Sequence, residues 1–247
     1  MEKSKPKIIF EDKYFLVLDK PAGMVVNNAE TTKGMQTIQD WIGENISVWK
    51  NREREKGEEF KDFYDRLGIV HRLDKETSGL LLVAKDYKSF RDLQRQFKER
   101  EVQKKYLALV HGKVDPKKGV IEASIARSPF DRKKFGVFLQ GKEAKTSYEV
   151  LEYSETKEET FSLLELTPRT GRTHQIRVHL KFLNYPIFAD DKYGGRKRSR
   201  KDRLICKRHF LHAFFISFTH PYSQKKLEFK SKLPSDLQIA MIKLGFN

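Results

Sequence analysis

The chain has 247 residues and carries 50 Lys and Arg against 34 Asp and Glu, a formal net charge of +16. At roughly 150 residues per domain this is one large domain or two small ones, long enough to bury a core. A single cysteine excludes a disulfide scaffold, a 38% hydrophobic content excludes a disordered chain, and the basic excess points to a polyanion, nucleic acid first. No apolar run reaches the length of a membrane span. Residues 1–9 are polar and basic and lack the apolar core of a signal peptide, so a cytoplasmic protein is expected.

Residues 15–18 read as a short buried strand, stopped by the breaker-rich Asp19-Lys20-Pro21-Ala22-Gly23. Thr37, with Asp40 three residues on, has the form of a helix cap, and Ile38, Trp41 and Ile42 supply an apolar face. Residues 49–66 hold six basic and six acidic side chains, which predicts a solvated helical excursion or loop. The continuous apolar run at 79–84 fits a central strand. Ser89 is placed to cap a helix whose inward face is Phe90, Leu93 and Phe97. Residues 106–110 predict a strand ending at Gly112, with further strands near 120–125, 146–153 and 160–167. The spacing of Ile176, Leu180 and Leu183 predicts a short helix over 173–183. Strands near 210–218 and 226–230 follow, then a helix begun by Ser235, lined by Leu237, Met241 and Leu244, and stopped by Gly245. Strands that follow one another without a helix between them predict an α+β fold, with a central mixed, mostly antiparallel sheet flanked by helices and loops. A single domain over 1–247 is expected.

The basic excess is concentrated. Residues 192–208 contain nine Lys or Arg and one acid, Asp202, and open on Gly194-Gly195, so this stretch is expected to start as a flexible loop. A second cluster holds Arg127, Arg132, Lys133, Lys134 and Lys142. Such clusters position a nucleic acid through its phosphates without reading its sequence; an isolated run of this kind is otherwise a solvated face.

The segment from Gly68 to Gly79 places the carboxylate of Asp74 in a tight polar loop just ahead of a buried strand, where catalytic groups tend to sit. Taken alone, Asp74 reads first as a turn or cap residue, with Thr77 and Ser78 bonding to nearby backbone. The wider pattern narrows this. His71-Arg72-Leu73-Asp74-x-x-Thr77-Ser78-Gly79-Leu80-Leu81 resembles the signature of the RluA-type pseudouridine synthase family, which turns uridine in RNA into its C5-linked isomer. Lys104-Lys105-Tyr106-Leu107-Ala108, Ala144-Lys145-Thr146 and Thr170-Gly171-Arg172-Thr173-His174-Gln175-Ile176-Arg177 resemble three further segments of that family, in order. Tyr185-Pro186-Ile187-x-x-Asp190 and Leu211-His212-Ala213 complete the likeness, which runs from about Lys20 to Pro234.

The resemblance implies the pseudouridine synthase fold and roles for particular residues. Asp74 would be the essential carboxylate, attacking C1′ of the sugar or removing a proton from C2′; both routes stay open. Tyr106 would stack on the target base and take the C5 proton. Arg177 would pair with Asp74, keeping it ionised and aimed, since an opposite charge favours the charged form. Ile176 would line the uracil pocket, and Arg72 would fill the gap left by the flipped base. His71, Arg172 and His174, with Arg196, Lys197 and Arg198 of the basic run, would contact the RNA, ribosomal or transfer. No metal, cofactor or membrane partner is implied, a monomer is the default, and no separate N-terminal RNA-binding domain is expected. A catalytically dead RNA-binding module is disfavoured because Asp74, Tyr106 and Arg177 are all present. A different RNA enzyme, a nuclease or glycosylase, would call for a metal-binding acidic cluster or a second carboxylate flanking the bond, and near Asp74 the only further acid is Glu76.

Overall fold

The computed structural model describes residues 5–50 and 57–246. In chain order it contains β1 (Lys7–Glu11), β2 (Phe15–Lys20), α1 (Ile38–Asn45), α2 (Ser47–Lys50), α3 (Lys61–Asp65), β3 (Ser78–Ala84), α4 (Tyr87–Lys98), β4 (Gln103–His111), β5 (Lys118–Glu122), β6 (Ile125–Arg127), β7 (Phe135–Val137), β8 (Lys145–Glu155), β9 (Thr160–Pro168), α5 (Gln175–Phe182), α6 (Arg196–Asp202), β10 (Leu211–Thr219), β11 (Lys226–Lys230) and α7 (Ser235–Lys243). This is the expected α+β class. The chain groups into two compact units: Met1–Val102 with Phe215–Ser231, and Gln103–Phe214 with Lys232–Asn247.

In the first unit β2 lies between β1 and β3, both antiparallel, with Phe15 opposite Ala84 and Lys20 opposite Gly79. The end of β10 forms an antiparallel hairpin with β11, from Phe215 opposite Lys230 to Thr219 opposite Lys226. All seven residues of β3 are buried, as its unbroken apolar run demands. β1 is exposed along its whole length, and its pattern does not single it out in the sequence. Gly68 is the residue that brings the chain up to β3. It sits at φ +74°, and a Cβ there would lie 2.0 Å from the Ala84 carbonyl oxygen, so no larger residue fits. Thr37 and Asp40 form the anticipated capping box of α1.

Two expectations in this unit need correction. The cap of α4 is Asp86, whose carboxylate accepts the Ser89 N–H, so Ser89 is already inside the helix. Residues 49–66 are not merely a solvated excursion, although 51–56 lie outside the described residues. Phe63 is fully buried and Tyr64 nearly so, packed with Phe15, Phe90, Leu93 and Phe218, and the Trp49 ring lies 4.9 Å from that of Phe63. Counting charges hid this, because a few large rings outweigh many charged groups that can face water.

In the second unit the strand order is β4-β9-β8-β5, antiparallel throughout. β6 and β7 form a separate hairpin, with Ile125 opposite Val137 and Arg127 opposite Phe135. Its inner face joins Ile125, Ala144, Val178 and Tyr193 in a small core, with Phe135 and Val137 against it. β7 is too short to show a period in sequence. The basic run 192–208 also departs from expectation. After Gly194-Gly195 it becomes α6 rather than a loop, and Ser199 and Asp202 are its buried residues.

Replacing Phe63 by Ala should destabilise the protein by about 3–5 kcal/mol, the usual cost of emptying an aromatic site in a core. Urea unfolding would read this directly; a loss below about 1 kcal/mol would mean that the ring is in fact solvated.

Candidate active site

Asp74 lies half-buried in the loop between Ile69 and β3. The loop backbone is pinned rather than floppy. The Lys75 carbonyl accepts the Gly23 N–H at 2.8 Å and the Lys20 ammonium at 3.2 Å. Lys20 is wholly buried and also donates to the carbonyls of Pro21 and Met24, at 2.8 and 2.9 Å. A buried ammonium is tolerable only when its donors are satisfied, and these carbonyls satisfy them. The Thr77 N–H donates to the Asp74 carbonyl at 3.2 Å, closing a turn on the carboxylate-bearing residue. His71 shares this work: its Nε2 accepts the Leu82 N–H at 3.0 Å and its ring packs on Phe97, 4.8 Å between centroids. Arg72 is exposed.

Tyr106, Ile176 and Arg177 belong to the second unit. Tyr106 is buried on β4, opposite Leu166 of β9. Two residues earlier on the same strand face, Lys104 is half-buried, and burial pulls its ammonium down to about 8. Ile176 and Arg177 are both buried near the start of α5. A buried arginine is costly without partners. Arg177 Nε donates to Asp190 Oδ2 at 2.7 Å and Nη2 to Asp190 Oδ1 at 2.8 Å, a bidentate pair. Asp190 is itself fully buried, and its Oδ1 also accepts the N–H groups of Lys192 and Tyr193 at 2.9 and 3.0 Å. Burial pushes the Asp190 carboxyl up, but hydrogen bonds and charge from Arg177, with help from His209 and the Tyr193 N–H, outweigh it and hold it below the usual range.

The turn before α5 is assembled around Gln175. Its Oε1 accepts from the Thr170 hydroxyl and the Arg172 N–H, at 2.7 and 3.0 Å. Its Nε2 donates to the Lys145 carbonyl and to Thr146 Oγ1, at 3.1 and 2.9 Å. The 144–146 and 170–177 segments are therefore one hydrogen-bonded scaffold. Arg172 is exposed and donates to the Glu143 carbonyl. His174 caps α5 in the left-handed region at φ +56°. His179 donates through Nε2 to the Ala123 carbonyl and faces the Thr146 hydroxyl, and burial holds its pKa below the ordinary value, so it sits neutral in the scaffold.

Arg196, Lys197 and Arg198 are exposed on α6. Other members of the basic run are built into the fold. Arg208 is buried and pairs with Asp236, and Arg203 donates to the Ala189 carbonyl. In the sequence Asp190 and Gln175 each fall within a motif but show no task, and Tyr193 does not stand out at all. Motif position is the only signal for Asp190 and Gln175, and Tyr193 has none, because contacts such as Arg177–Asp190 and Phe135–Tyr193 span 13 and 58 residues of chain.

The depressed Asp190 pKa has a pH signature. The pair contributes its full stability above the unfolded carboxyl pKa of about 4 and loses it as pH falls through the lower folded value, because the unfolded chain takes up the proton first. Asp190→Asn should cost about 3–5 kcal/mol at pH 7 by removing one charge of the buried bidentate pair with Arg177. It should also flatten the acid loss of stability below about pH 4. Urea unfolding at a series of pH values measures both; a midpoint like the wild type's at pH 7 would show that the pair contributes nothing.

A family model described as RNA pseudouridylate synthase matches residues 14–182. The chain is 40% identical over 234 residues to the ribosomal large subunit pseudouridine synthase D of Nitrosomonas europaea, covering 94% of this chain and 63% of that protein. It is 36% identical over 238 residues to the ribosomal large subunit pseudouridine synthase C of Vibrio cholerae, covering 96% of this chain and 69% of that protein. The chain thus spans just under two thirds of the Nitrosomonas protein's length. Among solved structures, human RNA pseudouridylate synthase domain containing 1 superposes with a TM-score of 0.70 at 28% identity, covering 95% of this chain and 87% of that one. The resemblance read from the motifs is borne out at the level of the family. A match unbroken from β2 to the end of α5, with relatives aligned along almost the whole sequence, makes this chain a member of the RNA pseudouridylate synthase family.

Proposed function

We propose that the chain isomerises uridine in RNA to pseudouridine, with Asp74 as the one essential carboxylate. What carries this assignment is the Asp74 loop: a carboxylate, in a backbone pinned by Lys20 and Gly23, inside the segment that resembles the family signature. The reaction is an isomerisation and leaves the composition of the nucleotide unchanged. The N1–C1′ bond breaks, the base turns, a C5–C1′ bond forms, and the C5 hydrogen leaves as a proton while N1 gains one. Asp74 either attacks C1′ or removes the C2′ proton. Tyr106 stacks on the base and accepts the C5 proton, and Ile176 lines the uracil pocket. Arg177 serves as the cation for Asp74.

Uridine in stacked RNA must first leave the helix, at a cost of a few kcal/mol, and Arg72 fills the vacancy. His71, Arg172 and His174 lie on the two motif loops and touch RNA where the backbone passes them. Arg196, Lys197 and Arg198 supply phosphate contacts from α6. Ribosomal RNA is the favoured substrate, because the relatives from Nitrosomonas and Vibrio are named for the large ribosomal subunit; transfer RNA is the second. No helix among the described residues is long and apolar enough to cross a membrane.

Bonding C5 to the sugar expels the C5 hydrogen, so RNA tritiated at uridine C5 should lose label with the wild-type chain. Asp74→Asn should bind RNA with similar affinity and release none; release at the wild-type rate would sink the assignment. Replacing Arg196, Lys197, Arg198 and Arg200 by Ala should flatten the plot of log binding constant against log salt by roughly 0.7–0.9 for each phosphate that is no longer neutralised. An unchanged slope would mean that the outer face of α6 never meets the phosphates.

A further inference from the structure

Tyr193 stands where the β6–β7 hairpin, α5 and the turn after Asp190 meet. Its ring is buried, and the Arg177 guanidinium lies over it, 5.1 Å from the centroid. Its hydroxyl accepts the Phe135 N–H at 3.1 Å and lies 2.7 Å from His174 Nδ1. Phe135 and His174 meet edge to face at 5.6 Å, and the Arg127 guanidinium lies 5.1 Å from the Phe135 centroid. Arg127 in turn donates to the Arg132 carbonyl at 2.6 Å, bracing the hairpin loop. The contacts run without a break from the basic hairpin to the buried arginine: Arg127, Phe135, His174, Tyr193, Arg177.

The parts of this chain have separable tasks. The small core of Ile125, Ala144 and Val178 needs only an apolar ring at 193, so the hydroxyl is not required for packing. Asp190 grips one edge of the guanidinium, while the face of the Tyr193 ring attracts the cation lying over it. The hydroxyl ties that ring to β7, and its contact with His174 helps hold the left-handed cap of α5, a conformation that few residues other than glycine adopt.

We infer that Tyr193 is a positioning residue for Arg177, and that its hydroxyl fastens the seat of the guanidinium to the β6–β7 hairpin, so that RNA contact at the hairpin and catalysis at Arg177 are coupled. This deepens the pseudouridine synthase reading and rests on it.

The test is a double-mutant cycle on the full chain, with protein in excess over C5-tritiated transcripts of ribosomal and transfer RNA. Tyr193→Phe keeps the ring and removes the hydroxyl. It should leave the RNA dissociation constant within about twofold while lowering the tritium-release rate at saturating protein about tenfold, the scale of one missing hydrogen bond. Arg132→Ala with Lys133→Ala should weaken binding and also lower the saturated rate, but cause no further loss of saturated rate in the Tyr193→Phe background. A full saturated rate for Tyr193→Phe, or hairpin and tyrosine effects that simply multiply, overturns the coupling. No release by the wild-type chain would instead overturn the reading beneath it, and the inference with it, so the wild-type lane tells the two failures apart.

Discussion

The buried pair of Arg177 and Asp190 is the constraint that organises the second unit around α5. Taking both ions out of water costs several kcal/mol each, and their attraction offsets this only when nearly every polar atom finds a partner. Asp190 meets that demand by accepting from two guanidinium nitrogens and two backbone N–H groups. One carboxylate therefore fixes the side chain of α5 and the backbone turn at 190–193 together. Neither can shift without leaving a charge unsatisfied. The turn then delivers Tyr193 to the face of the same arginine and leads through Gly194 into α6. Gly194 is needed there: a Cβ would lie 2.6 Å from the Asp190 carbonyl oxygen.

What could be read from the sequence follows the range of the interactions involved. β3, β4 and β10 were legible because a buried strand announces itself in a few consecutive residues. The Thr37–Asp40 box was legible because both its hydrogen bonds close within three residues. The start of α4 was misplaced by three residues because Ser89 and Asp86 are both good caps, and only the geometry decides between them. The burial of Phe63 and Tyr64 does not show in the sequence because the four aromatic residues of 49–66, widely spaced among charges, make no period that a window detects. Asp74 was found only through a motif, since a lone loop carboxylate has no spacing of its own. Asp190 and Tyr193 stayed silent because a role defined by contacts with residues such as Arg177 and Phe135 exists only once the chain has folded.

Two kinds of basic residue share the 192–208 stretch. Arg208 and Arg203 use their donors inside the fold, on Asp236 and on the Ala189 carbonyl. Arg196, Lys197, Arg198 and Arg200 face water. A charge total treats these groups alike, although only the second kind shapes the field an approaching polyanion feels at a distance.

The one acid in that stretch is the more instructive residue. Asp202 is buried; it accepts the Ala189 N–H at 3.0 Å and lies 2.9 Å from His111 Nε2. With Ser199 it forms the whole inner side of α6, so the helix is seated by directional polar bonds rather than by a greasy stripe. The usual logic of sequence drift is thereby inverted. Lysine and arginine can trade places on the outer side of α6 with little effect on how it sits, whereas the residue whose sign opposes the rest of the run is the one that tolerates replacement least.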